Sequence, residues 1–137
     1  SGGLFVIRTG GSGNVTDSHV EWFTDIDVPD VSSPLVSDKF VFMITHGLMG
    51  CWDVAGGEEP LWQEDVGDEV SSSPSQVGEN IYIFTDSGPA LIVKPDAEQW
   101  EIVAELDVGE PCRTSPAFQP GRIYIRGETH LFCFGAE

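Results

Sequence analysis

The feature that most constrains this chain is that it says the same thing three times. Ser33-Pro34, Ser73-Pro74 and Ser115-Pro116 lie 40 and 42 residues apart. Eight residues after each proline stands an aromatic, Phe42, Tyr82 or Tyr124. It is flanked by Val41, Ile81 or Ile123 on one side and by Met43, Ile83 or Ile125 on the other. Nine residues before each proline is an aspartate, Asp25, Asp65 or Asp107, followed at once by Ile26, Val66 or Val108. Trp22 and Trp62 stand twelve residues before the first two prolines, and Ala104 takes that place before the third.

A period of this length filled with strand-type residues is the unit of a β-propeller, one blade of four short antiparallel strands. "KFVFMI" and "NIYIF" are β-branched and aromatic runs, and "SDK", "GEN" and "PGR" ahead of such runs are turn-formers. The prolines sit near strand starts, where a missing N–H costs no ladder bond. No stretch sustains a 3.6-residue apolar period, so little or no helix is expected. The reading is an all-β chain forming a single partial propeller of about three four-stranded blades. Residues 4–25 supply a half blade, 31–66 and 70–108 complete blades, and 113–135 a three-stranded partial blade. Propellers close on themselves with about four to eight blades. The chain is therefore expected to belong to a longer protein, and its open blade faces to favour self-association.

The segment "CWDVAGGEEPLW", Cys51 to Trp62, resembles the signature of the PQQ-like, or quinoprotein-type, propeller repeat. That signature is an aspartate, a glycine-bearing turn and a tryptophan closing the fourth strand, here Asp53, Gly57 and Trp62. "NVTDSHVEW", ending at Trp22, is similar, and "KPDAEQWEIVA" resembles a degenerate copy with Trp100 displaced. "GRIYIRGETHLFCFG" resembles a last repeat. The resemblance implies that Trp22 and Trp62 dock one blade on the next, with Asp53 and Gly57 in structural roles. Dehydrogenases of this family hold pyrroloquinoline quinone with calcium at the axis and carry adjacent cysteines. Among Cys51, Cys112 and Cys133 no two are adjacent, so no cofactor, no resident metal and no catalytic residues are expected. The resemblance extends to the propeller scaffolds of outer-membrane assembly, which implies a protein-interaction role in an extracytoplasmic setting. The alternatives are a fragment of a quinoprotein oxidoreductase and a cation- or carbohydrate-binding propeller.

Charge narrows the partners. Six basic residues against twenty-three acidic ones give a net charge of −17, a field that repels nucleic-acid phosphates and anionic lipid headgroups. The longest apolar run, Phe40 to Ile44, is too short to cross a bilayer, so no membrane insertion is expected. The opening residues carry no basic segment followed by an apolar run and do not read as a secretory leader. No Cys-x-x-Cys spacing points to zinc or to a disulfide framework.

The acidic residues cluster between each fourth strand and the next Ser-Pro. Asp25, Asp27 and Asp30 form one group, Glu64, Asp65, Asp68 and Glu69 a second, and Glu105, Asp107 and Glu110 a third. In a propeller such connectors emerge on the same side as the loops after the second strands, which predicts one strongly negative face. It would dock a basic protein, hold a divalent cation weakly, or keep the protein dissolved in a salty milieu. The shared register of Asp25, Asp65 and Asp107 suggests carboxylates accepting turn N–H bonds. "GGSGN" (Gly10 to Asn14), with no helix expected after it and no nearby lysine, reads as a turn rather than a phosphate cradle. His46 and His130 fall in second-to-third-strand loops without an evident third metal ligand, and His19 reads as a strand residue. Asn14-Val15-Thr16 matches a glycosylation acceptor.

Overall fold

Burial differs from strand to strand according to what lies on each face. In β4 (Phe40–Thr45) and β5 (Leu48–Asp53) the four central residues are all buried, whereas β1 (Leu4–Ile7) alternates half-buried and exposed. A strand buried on both sides must lie between two other layers. A computed structural model, which describes residues 2–135, shows those layers. β1 pairs with β2 (Val20–Thr24). β3 (Leu35–Ser37), β4, β5 and β6 (Trp62–Asp65) form the second sheet in chain order. β7 (Ser75–Val77), β8 (Asn80–Phe84), β9 (Pro89–Pro95) and β10 (Trp100–Asp107) form the third, and β11 (Ala117–Gln119), β12 (Arg122–Arg126) and β13 (Leu131–Gly135) the last. All neighbours are antiparallel. The chain is a partial β-propeller.

The apolar cores lie between sheets rather than within them. Trp22 of the first sheet packs with Val41, Met43 and Trp52 of the second. The other face of the second sheet, Phe42, Ile44, Met49 and Cys51, meets Ile81, Ile83 and Val93 of the third, with Val66 and Val70 of the connector between them. Phe84 and Ala90 of the third sheet meet Ile125 of the last, with Val108 and Cys112 from their connector.

The repeated serines link the sheets near their first strands. The Ser73 hydroxyl accepts the Ser33 N–H and the Ser115 hydroxyl accepts the Ser73 N–H, both at 2.9 Å. This ladder explains why serine precedes each proline. One position earlier, the hydroxyls of Ser32, Ser72 and Thr114 donate to the carbonyls of Ile44, Phe84 and Arg126 at 3.0, 2.7 and 2.8 Å. Each of these bonds ties a first strand to the end of the second strand in its own sheet.

Glycine is required where connectors cross the hairpins. A Cβ on Gly88 would sit 2.7 Å from the Glu110 carbonyl oxygen, and one on Gly47 closer still to that of Asp68. His46 and Gly47 also turn the β4–β5 hairpin with φ of 48° and 74°, the left-handed pair that matches strand twist.

One local reading is corrected. His19 is not a strand residue but ends a single helical turn, α1 (Thr16–His19), so a helical turn does follow Gly10–Asn14. The Asn14 side chain accepts the Thr16 N–H at 3.0 Å, and the Val15 carbonyl accepts that of His19 at 2.9 Å. One turn is too short to display a helical period in sequence.

Trp62, 8% exposed, spans the junction between the second and third sheets. Trp62→Ala is expected to destabilise the fold by about 3–5 kcal/mol. Trp62→Phe, which keeps a ring but removes the donor, should cost about 1 kcal/mol for the lost hydrogen bond, plus a smaller packing loss. Urea denaturation of both variants checks this; a loss below about 1 kcal/mol for the alanine variant would exclude a docking role.

Candidate functional site

The aspartate–glycine–tryptophan signature assembles as acceptor and donor on neighbouring sheets. The Asp53 carboxylate accepts the Ala55 N–H at 2.8 Å, and a Cβ on Gly57 would lie 2.6 Å from the Asp53 carbonyl oxygen. The turn this builds points the Val54 carbonyl at the previous sheet, where the Trp22 indole N–H donates to it at 2.7 Å. At the next junction the Trp62 indole donates to the Asp96 carbonyl at 2.9 Å. Asp96 organises its own turn, its carboxylate accepting the N–H groups of Glu98 and Gln99, which lowers its pKa. The Trp62 ring also packs on Phe42 and Trp100, with centroids 6.1 and 6.3 Å away. Ala104, paired with Ile92 as Trp62 is with Cys51, offers no such bond. At that third junction an apolar gap of about 140 Å³ opens beside Phe84, Leu106, Val108 and Phe134.

The acidic connectors lie against the second-to-third-strand loops and put their carboxylates to two uses. Some brace loops. Asp68 accepts the Ser87 N–H at 3.0 Å and also the Ser87 hydroxyl, which holds its pKa below the usual carboxylate value. Glu110, its side chain 14% exposed, accepts the N–H groups of Thr129 and His130 at 3.0 and 2.8 Å and contacts both their side chains. Asp65 and Asp107 each accept a glycine N–H two residues on, Gly67 and Gly109, at 2.8 Å. Asp25 makes no such bond among the described residues; one position earlier, the Thr24 hydroxyl accepts the Ile26 N–H at 3.2 Å. Asp27 takes the left-handed conformation, φ 48°, that Gly67 and Gly109 adopt at the matching positions, and its carboxylate accepts from Gln63. The second use is display. Asp25, Asp27, Asp30, Asp65, Glu69 and Asp107 are exposed, on connectors fixed by these bonds.

Other candidates are dispersed. His46 lies 3.7 Å from Glu69, while His130 is 3.0 Å from Glu110. No group of three His, Cys, Asp or Glu side chains among the described residues is placed to hold a metal. All three cysteines are free thiols, Cys51 and Cys112 buried and Cys133 exposed. Burial, reinforced by Asp53 and Asp96, pushes the Cys51 thiol up to about 12, so it is inert packing.

Two features lay outside the sequence reading. Asp86 accepts the Ser71 N–H and hydroxyl at 2.7 and 2.8 Å and pairs with Arg113 of the next connector at 3.2 Å, joining the third sheet to the last. Trp52, fully buried, has no hydrogen-bond partner for its indole N–H among the described residues. Only its place in a third strand, facing Trp22, hinted at burial.

No protein-family model matches the chain, and no curated protein matches it. Solved structures do match. BamB from Moraxella catarrhalis superposes with a TM-score of 0.69 at 16% identity, over 85% of this chain. The chain spans 36% of that protein's length. At this identity the likeness shows the fold.

The bracing of Glu110 has a pH signature. Thr129's hydroxyl first, then His130, hold its carboxyl at about 2, down from 4.5. A depressed carboxylate pKa stabilises the fold above the unfolded value and loses that contribution as pH falls through the folded one. Glu110→Gln should lower the melting temperature at neutral pH and flatten its decline between pH 4.5 and about 2. Parallel thermal melts across that range check this; an unchanged acid slope would exclude the brace.

Proposed function

We propose that this chain is a non-enzymatic propeller module of PQQ-like type, a protein-interaction scaffold within a larger extracytoplasmic protein. The observation that carries the reading is the row of exposed carboxylates on connectors whose backbones are held by Asp65, Asp68, Asp107 and Glu110. Charges on a rigid frame lose little entropy when a partner docks, and their field steers a basic protein toward them. Likeness in fold to BamB and the resemblance to propeller scaffolds of outer-membrane assembly support the same reading.

The test is to replace Asp25, Asp30, Asp65, Glu69 and Asp107 by their amide counterparts, which keep the acceptor oxygens and remove the charge. Affinity for a basic partner captured by the wild-type chain should fall about tenfold or more, and its salt dependence should weaken. Equal affinity and equal salt dependence for both proteins would overturn the carboxylate face as the docking surface. Calcium-dependent dye reduction on addition of pyrroloquinoline quinone would overturn the non-enzymatic reading.

A further inference from the structure

Between the first connector, residues 25–34, and the second, residues 66–74, lies a cleft of about 210 Å³ beside the end of β4. Its walls come entirely from residues 29–71. The buried part of the lining is apolar, Ile44 and Val70, and Val31 beside them is 71% exposed. Each connector brings a carboxylate to it. Asp30 stands on the first and Glu69 on the second, both exposed. The Glu69 carboxylate lies 3.7 Å from Nδ1 of His46, too far for a hydrogen bond, and its side chain is 64% exposed. Its neighbour Asp68 is committed to Ser87, whereas Glu69 braces no loop among the described residues.

The corresponding place one junction on shows what fits there. Arg113 stands where Ser71 does, three residues before the repeated proline, and Asp86 stands where His46 does, twelve after it. Asp86 accepts the N–H and hydroxyl of Ser71 and pairs with Arg113 at 3.2 Å. An arginine side chain thus lies between the connector that enters the third sheet and the hairpin of that sheet. At the cleft each part is changed. The hairpin residue is His46, the entering connector offers Val31 in place of Ser71, and the leaving connector offers Ser71, whose hydroxyl is already given to Asp86. The acidic groups have moved to the connectors, since Asp30 matches Val70 and Glu69 matches Pro111. Residues 25–71 contain one lysine and no arginine, and that lysine, Lys39, lies in the β3–β4 turn at the far end of β4. The carboxylates are present and the cation is not.

We propose that this cleft receives an arginine side chain of a basic protein partner and is the anchoring point of the carboxylate face. The methylene stem lies along Val31 and Ile44, and the guanidinium lies between Asp30 and Glu69. An arginine is apolar along its stem and charged at its head, so an apolar lining edged by carboxylates suits it at both ends. Its planar fork of donors can meet two acceptors at once, which a lysine does less well. A divalent cation would need several oxygen ligands converging on one point, and no group of three such side chains among the described residues does so. This inference rests on the carboxylate face as a docking surface and adds where on that face, and by which side chain, the partner is held.

The probe is a capped Gly-Arg-Gly peptide, titrated into the full chain and followed by backbone amide NMR. Saturable shifts centred on Asp30, Val31, His46, Glu69 and Ser71 are expected, with half-saturation at about a millimolar. Citrulline in place of the arginine keeps the shape without the charge and should abolish saturation. Asp30→Asn/Glu69→Gln should weaken binding about tenfold. Asp25→Asn/Asp65→Asn/Asp107→Asn removes more charge from the same face but should change it by less than about threefold, because those charges are distant and screened. Ser71→Arg gives the second connector the residue that the third carries and should block the cleft. Asp30 and Glu69 are exposed, so their double variant keeps the wild-type amide spectrum elsewhere and decides the matter even where Ser71→Arg does not fold. Absence of saturation at about ten millimolar peptide would overturn the proposal. So would equal binding of the citrulline peptide, shifts centred elsewhere, or equal losses in the two carboxylate variants. A peptide that fails to saturate, beside amide substitutions that still weaken a basic partner, removes the cleft and leaves the face. Saturation in the cleft beside unchanged partner affinity leaves an arginine site and removes the face.

Discussion

No sheet in this protein has a core of its own. Each is one strand-layer thick, and the apolar side chains on its two faces leave water only when another sheet lies against them. The cluster around Phe42, Met49, Ile81 and Val93 is half one sheet and half the next, with Val66 and Val70 of the connector sealing it. Everything else serves that contact. The serine ladder sets neighbouring first strands, Trp22 and Trp62 reach across the periphery, and Gly47 and Gly88 let the connectors pass.

A chain of −17 repels itself, and the structure shows how part of that repulsion is offset. Carboxylates of Asp65, Asp68, Asp107 and Glu110 are placed against backbone N–H groups and so fix the loops, and at Asp68 and Glu110 these bonds also favour the charged form. Against that acidic background, residues 113–135 carry three arginines, Arg113, Arg122 and Arg126, and one acidic residue, Glu128.

The strand content of each repeat was legible because β-branched and aromatic residues suit strands and turns must be made of particular residues. Phe40–Thr45 and Asn80–Phe84 announce themselves by β-branched and aromatic runs behind turn-formers. The single turn Thr16–His19 was not legible, because a helix of that length has no periodicity and rests on local bonds from Asn14 and Val15. The acidic connectors could be found from sequence, but not which carboxylates brace and which are displayed. Asp68 and Glu110 become braces only because the connector passes within reach of Ser87, Thr129 and His130, some 20 residues away in sequence.

By itself the sequence determined the repeat, its period, its all-β character and the sign of its field, since these depend on residue type and local spacing. Tertiary structure alone decided which residue of one repeat meets which residue of another. It set the Trp22–Val54 and Trp62–Asp96 bonds, the Asp86–Arg113 pair and the burial of Trp52. It also showed that Arg126 stands where Ile44 and Phe84 are buried. The physical reason is that contacts between sheets depend on how two surfaces stack and twist together, which no single segment encodes.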